Sequence, residues 1–175
     1  WVAMDRAIAL YADAPHLDAP IERWRRTRDA IRAEVLARGL DDRGRFVQTF
    51  GGTALDASLL MIPLVGFLPA DDPRVVATVD AIRQELLFRQ ANEALRLKDY
   101  QKSLDLFRVL TKLSPDNRVY AEAYAKTLYL KWQATKRGSS LEIKLAIKEA
   151  LTRFPESDQL YLLLGWVFKK EGSNK

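Results

Sequence analysis

Residues able to carry out metal or nucleophilic chemistry are few in this 175-residue sequence. It contains no Cys and one His, His16. A thiolate zinc site and a cysteine nucleophile are therefore excluded, and a single imidazole cannot form a His-rich metal cluster. His16 lies between Pro15 and Pro20 in a connecting segment, which favours a solvated loop histidine over a catalytic one. The sequence predicts no metal site and no cofactor.

Adjacent carboxylates are the next candidates for acid–base chemistry. Asp41-Asp42 stands in a turn, and Asp71-Asp72 precedes Pro73. Because Asp is a favoured N-cap and Pro a favoured first helical residue, these carboxylates are typical of turns and caps. The Gly51-Gly52 pair lacks the Lys and Ser/Thr of a phosphate loop and predicts a turn. We therefore expect no catalytic residue in these pairs.

Arginines are concentrated between residues 23 and 32. Acidic residues are interleaved with them at helical distances, which favours a salt-bridged solvated face over a nucleic-acid-binding surface. The arginines are Arg23, Arg25, Arg26, Arg28 and Arg32. The longest apolar run, residues 59–69, is too short to cross a bilayer and contains Pro63. We expect a cytoplasmic protein with no nucleic-acid or membrane partner and no obligatory partner of any kind.

The two halves of the chain differ in charge. Residues 1–87 have 11 Arg, no Lys and 13 acidic residues, a net charge of −2, whereas residues 88–175 carry +7 and all 11 Lys. Solvated faces accept either cation, so the absence of Lys from one half needs another cause. Two halves with different coding histories, joined by natural gene fusion or in a laboratory, are the simplest interpretation.

Helical periodicity covers most of the chain and predicts an all-α fold. We expect a helix over 19–38, a short extended piece at 46–50, and a helix over 53–62 that is apolar nearly all round and therefore central. Another helix begins at Pro73 and continues to Leu97 without an internal Gly or Pro. Its apolar row of Val75, Val79, Ile82 and Leu86 is followed by a second row on another face, which predicts one helix shared by two domains.

Residues 84–175 contain a repeat. Pro115 and Pro155 each follow a predicted helix pair and lie 40 residues apart. Small residues at Ala91 and Ser103 and a large one at Phe107 fit the spacing of close helix pairs. This segment resembles the tetratricopeptide repeat, with six extra residues near 131–141, and the resemblance implies a helical superhelix.

The resemblance to the tetratricopeptide repeat implies a peptide partner. Of the positions matching the family's carboxylate clamp, only Asn92 agrees, and Gln159 and Leu163 replace the basic pair, so chaperone-tail binding is disfavoured. A peptide groove with other chemistry remains open. Its candidate contacts are Arg89, Asn92, Tyr120, Tyr124 and Lys131.

Residues 1–86 resemble a different family. Three sequence segments are similar to those of family 15 glycoside hydrolases, the glucoamylase-like and trehalase-like enzymes. The segments are Trp1 to Ile8, Phe46 to Phe50 and Ala54 to Pro73. The resemblance implies part of an α/α barrel, with the general acid before the position of Trp1 and the general base after that of Leu86. Glycoside hydrolysis needs two carboxylates across one bond, so a fragment holding neither motif should not catalyse it.

These observations predict an all-α helical-pair array. An α/α-barrel fragment (1–86) would be joined to a tetratricopeptide-like superhelix (84–175) through a shared helix at about 73–97. The function expected from that architecture is an engineered fusion scaffold, not an enzyme. A tetratricopeptide-type peptide-binding adaptor is the alternative, and a residual α-glycoside hydrolase is the second alternative.

Overall fold

The computed structural model describes residues 1–12, 18–135 and 139–172, and His16 lies outside these ranges. Over them the chain is all-α, as predicted, with one isolated bridge between Leu40 and Phe46. A 3-10 helix, Ala57–Leu60, leads into α3. The α-helices of the described ranges are α1 (Val2–Ala12), α2 (Ile21–Arg38), α3 (Met61–Leu64), α4 (Pro73–Arg96), α5 (Tyr100–Leu113), α6 (Arg118–Thr135), α7 (Ser140–Arg153) and α8 (Asp158–Gly172).

The chain forms two compact units, residues 1–83 and residues 84–175. In the first, α1 packs against α2, and in the second α6 packs against α5, α7 and α8. The unit boundary falls inside α4. The domain identities expected from the sequence, 1–86 and 84–175 with a shared helix at 73–97, stay predictions.

The core of the first unit is built around the segment between α2 and α4. Phe46, Phe67, Leu68 and Val75 are buried together there. The amide of Phe46 donates to Thr78 Oγ1 at 2.8 Å, so the segment is tied to the first half of α4. The extended piece predicted at 46–50 is reduced to the isolated bridge at Phe46.

The central helix predicted over 53–62 is wrong in extent and position. The 3-10 helix begins only at Ala57, because the Asp56 carboxylate accepts from Ser58 N at 2.7 Å and fixes the start there. Neither short helix contains a buried residue, and Leu64 is 74% exposed. Gly66, with φ of +75°, closes the segment in a conformation that favours glycine. An apolar composition therefore did not make this segment central within its unit.

Helix α4 begins where the sequence predicts. The Asp72 side chain accepts from Arg74 N at 2.9 Å, which is the N-cap interaction expected before Pro73. The predicted row of apolar residues is only partly correct, because Val79 and Leu86 are exposed while Thr78 is buried. Thr78 faces inward because its hydroxyl donates to Arg74 O at 2.6 Å and accepts from Phe46 N.

Asp72 should make the stability of the first unit depend on pH. Hydrogen bonds from the Arg74 guanidinium lower the pKa of Asp72 from its ordinary 3.8 to about 2. Because the folded pKa is the lower one, the charge of Asp72 stabilises the fold above pH 3.8, and this contribution is lost as pH falls through about 2. We expect Asp72→Asn, which keeps a capping side chain, to lower Tm at pH 7 and to have a vanishing effect at pH 2. Thermal unfolding of both proteins across this range measures it, and a Tm difference independent of pH would contradict it.

Two apolar clusters hold the second unit together. One joins Ala91 of α4 to Phe107, Leu110 and Tyr120. The other, larger cluster is built mainly from α6, α7 and α8 and includes Ala125, Ile147, Leu160 and Val167. Ser103, predicted as a small residue at a close helix approach, is fully buried.

Candidate functional site

The five residues predicted to line a peptide groove are in different environments. Tyr120 is buried, with its ring 5.4 Å from that of Phe88, and so belongs to the core. Asn92 donates to Phe88 O within its own helix, and Lys131 donates to Gln101. The remaining two lie apart, with Arg89 beside a shallow depression that includes Leu97 and Lys102, and Tyr124 near Arg108. Tyr120 is therefore not a groove contact, and a peptide groove that includes Arg89, Asn92, Tyr124 and Lys131 stays a prediction.

The first unit carries a group of aromatic and charged side chains that we call the Trp1 cluster. The start of α1, the middle of α2 and the loop that follows α3 meet there. Its members are Trp1, Asp5, Arg6, Arg28, Arg32 and Phe67.

Asp5 is at the polar centre of the Trp1 cluster. Its Oδ1 lies 3.5 Å from Arg28 Nη1 and its Oδ2 lies 3.8 Å from Arg6 Nη1. Arg28 also contacts Asp29 Oδ1 at 2.8 Å, so one half-buried guanidinium links α2 to the first turns of α1. Arg6 keeps 61% of its side chain exposed while donating to Val65 O at 3.3 Å. One carboxylate is thus placed between two guanidinium groups.

Aromatic rings form the apolar side of the Trp1 cluster. The Trp1 and Phe67 rings meet edge to face with centroids 5.1 Å apart. Arg32 donates to Phe67 O at 2.6 Å, and its guanidinium lies 5.2 Å from the centroid of the Phe67 ring. The Nε1 of Trp1 is buried and has no hydrogen-bond partner among the described residues. Buried donors without a partner are rare in folded proteins.

The prediction that the arginines of α2 form a solvated face is correct for Arg23, Arg25 and Arg26, which are exposed, and wrong for Arg28 and Arg32. Arg25 pairs with Glu22 along the exposed helix. Arg28 and Arg32 instead turn inward to α1 and to the loop at Phe67. The signal that was missed is their position one and two turns after Trp24, on the same side of the helix.

The Trp1 cluster therefore combines a carboxylate, which accepts hydrogen bonds, with guanidinium groups, which donate them, beside two aromatic rings.

The carboxyl groups with shifted pKa values lie outside the Trp1 cluster. The pKa values of Asp56, Asp72 and Glu93 are lowered mainly by hydrogen bonds from Ser58, Arg74 and Arg96. That direction is opposite to the raised pKa that a general acid needs, so these three are suited to capping and pairing.

Asp41, predicted as a turn residue, has that role. Burial raises the pKa of Asp41. Hydrogen bonds from the Arg45 side chain and from the Arg45 and Arg43 amides together lower it by more, so the net shift of the pKa is downward. In the described ranges no three His, Cys, Asp or Glu side chains converge as a metal site, and no helix is long and apolar enough to cross a membrane.

Comparison with known proteins identifies the family. The model of the glycosyl hydrolases family 15 matches residues 1–143. Trehalase of Mycolicibacterium smegmatis is 51% identical over 86 residues, which are 49% of this chain and 13% of that enzyme. Trehalase of Mycobacterium tuberculosis is 49% identical over 86 residues, 49% of this chain and 12% of the relative. Trehalase of Thermoplasma acidophilum is 40% identical over 104 residues, 56% of this chain and 18% of the relative.

The chain spans less than a fifth of the length of these curated relatives. No solved structure matches it significantly.

The expected function, an engineered scaffold without catalysis, is wrong, as is the expectation that the protein is not an enzyme. The error came from treating the change in charge at residue 87 as a junction between unrelated halves. The family match continues past that point to residue 143. A difference in Lys and Arg usage reports on surface composition and does not decide whether a chain belongs to an enzyme family. The match covers most of the chain, and the protein therefore belongs to glycosyl hydrolase family 15.

Proposed function

We propose that the protein acts as a trehalase-like glycoside hydrolase, cleaving the α-glucosidic bond between two glucose units. The observation that carries this proposal is the family match over residues 1–143, together with relatives named trehalase at up to 51% identity. The proposal concerns the activity of the whole protein. Hydrolysis of this kind uses two carboxylates on opposite sides of the scissile bond.

The Trp1 cluster supports the proposal by its chemistry. Asp5 and Arg6 offer an acceptor and an exposed donor side by side. A disaccharide without charge is recognised through its hydroxyl groups, which need both kinds of partner. In the proposed role these residues bind and orient a glucose unit; proton transfer is not assigned to them.

Glucose release from trehalose is the direct test. The purified protein is incubated with trehalose, with maltose as a second α-linked substrate and with cellobiose as the β-linked control. We expect glucose from trehalose and none from cellobiose. Hydrolysis of maltose at a higher kcat/KM than trehalose would replace trehalose as the substrate, and turnover of neither α-linked sugar would overturn the proposal.

Arg28 allows the Trp1 cluster to be tested separately. Because Arg28 links Asp5 to α2, the variant Arg28→Gln should misplace the Asp5 carboxylate and lower kcat/KM for trehalose by about tenfold or more. Arg25→Gln is the matched control on the same helix, since Arg25 is exposed and, among the described residues, pairs with Glu22 alone. We expect that control to keep its activity. Equal activities of the two variants would show that the Trp1 cluster does not bind the sugar. The proposed trehalase-like activity would then depend on the substrate test alone.

The tetratricopeptide-like architecture expected for residues 84–175 is a proposal about fold, separate from the activity. Its support is that α5 and α7 each end two residues before a proline, at Pro115 and Pro155, and that α5 to α8 pack as successive neighbours.

A further inference from the structure

A cavity of about 320 Å³ lies in the second unit, among helices α5, α6 and α7. We call it the cationic pocket. Its charged lining residues are Arg108 and Lys112 of α5 and Glu149 and Arg153 of α7, and Tyr124 of α6 lies between them. The charged side chains that line the pocket are therefore three cations and one carboxylate.

The cationic pocket exists because its floor is made of alanines. Ala121 of α6 and Ala150 of α7 are buried, and Ala146 lines the same space. Alanine has no atom beyond Cβ, so the helices cannot fill the volume between them at this level. The lining therefore combines three small apolar side chains with four charged ones.

Two of the three cations are held in place by neighbours. Arg108 Nη2 donates to the hydroxyl of Tyr124 at 3.3 Å, and its guanidinium lies 5.9 Å from the centroid of the Tyr124 ring. Its Nη1 also lies 3.8 Å from Asp105 Oδ1, in an exposed ion pair within α5. Arg153 donates to Glu149 at 2.8 Å and to Pro115 O at 3.4 Å. A guanidinium has five N–H groups, so both arginines keep donors for a further acceptor. Positioned guanidinium groups lose less entropy when they bind an anion.

From this arrangement we infer that the cationic pocket binds a small phosphomonoester, with the phosphate held by Arg108, Lys112 and Arg153 and a compact apolar group on the alanine floor against Tyr124. Phosphate offers three acceptor oxygens, which suits several converging guanidinium and ammonium donors. The volume lies in the range of small-molecule sites and is too small for an extended acidic peptide. This site belongs to the second unit and is independent of trehalose hydrolysis.

Titration with phenyl phosphate, followed by ¹H–¹⁵N spectra of the full chain, tests the inference. We expect saturable shifts at residues of α5, α6 and α7 that line the pocket. Inorganic phosphate should bind more weakly because it cannot use the floor, and benzyl alcohol should cause no shifts because it has no charge. Equal binding of benzyl alcohol and phenyl phosphate would overturn the assignment of the phosphate to these cations.

Substitutions make the test specific. Arg108→Gln and Arg153→Gln should each weaken phenyl phosphate binding about tenfold or more, as expected for loss of a charge-assisted hydrogen bond. Glu149→Gln removes the negative charge of the lining but keeps a side-chain oxygen that can accept from Arg153, so it should strengthen binding by a factor of about two or more. Lys148→Gln is the matched control, because this exposed lysine is on α7 but does not line the pocket. Circular dichroism confirms that each variant is folded.

Two results would overturn the inference. If Lys148→Gln weakens binding as much as Arg153→Gln, the anion responds to net charge and has no defined site. If Glu149→Gln weakens binding, the carboxylate is not a competitor for the cations as the geometry requires. Neither result depends on glucose release, so this inference and the proposed activity fail separately.

Discussion

Replacing Phe107 with Ala is expected to lower the free energy of unfolding of the second unit by about 3–5 kcal/mol. Phe107 is fully buried, and its ring lies 6.0 Å from that of Phe88 in a cluster with Leu110 and Tyr120. The change removes the apolar contacts of a whole ring and leaves a cavity that helices α4, α5 and α6 can fill only partly. Urea unfolding followed by circular dichroism measures the loss.

Phe168 provides the matched control for Phe107. It is in the same unit, on α8, and is 54% exposed. Phe168→Ala makes the same chemical change where little area is buried, so it should cost less than about 1 kcal/mol. Phe107→Leu keeps most of the volume and gives a measurable intermediate if the alanine variant does not fold. Equal losses for Phe107→Ala and Phe168→Ala would show that Phe107 is not central to the core.

The second large effect is expected at Phe46 in the first unit. Its side chain is 1% exposed and packs with Phe67, Leu68 and Val75. We expect Phe46→Ala to lower the free energy of unfolding by about 3–5 kcal/mol. Urea unfolding followed by circular dichroism measures the loss.

Phe50 is the control for Phe46. It lies four residues further along the same loop, is 48% exposed, and its ring is 4.9 Å from the Arg38 guanidinium carbon. An exposed cation–π contact contributes about 0.5–1 kcal/mol, so Phe50→Ala should have a much smaller effect. If the two variants were equally unstable, the loop after α2 would not be organised around Phe46.

The connection between Phe46 and Thr78 shows why part of the core was missed from the sequence. The alternation at residues 46–50 indicated an extended piece but gave no reason to pair Phe46 with a threonine 32 residues later. The hydrogen bond from Phe46 N to Thr78 Oγ1 makes Thr78 an inward residue of α4 and leaves Val79 exposed. Hydrophobic periodicity ranks Val above Thr, so it selected the wrong face at this position.

The proposed sites differ in how much of them the sequence indicated. Asp5, Arg6 and Trp1 lie in a segment whose sequence resembles family 15 glycoside hydrolases. The contact between Asp5 and Arg28, however, depends on how α1 packs on α2. Tyr124 was expected as a peptide contact, whereas its hydroxyl accepts from Arg108 at the edge of the cationic pocket. Neither juxtaposition follows from spacing along one helix.

The sequence by itself determined the all-α class, the start of α4 at Pro73 with its Asp72 cap, and the likeness of residues 1–86 to an enzyme family. These features depend on local helix propensity, on capping residues and on sequence similarity, all of which can be read from residues that are close together in the chain. Tertiary structure decided which arginines of α2 turn inward, which face of α4 is buried, and where alanines leave an open volume between helices. Those outcomes depend on packing between segments far apart in the chain, where the burial of one side chain is decided by the shape of another.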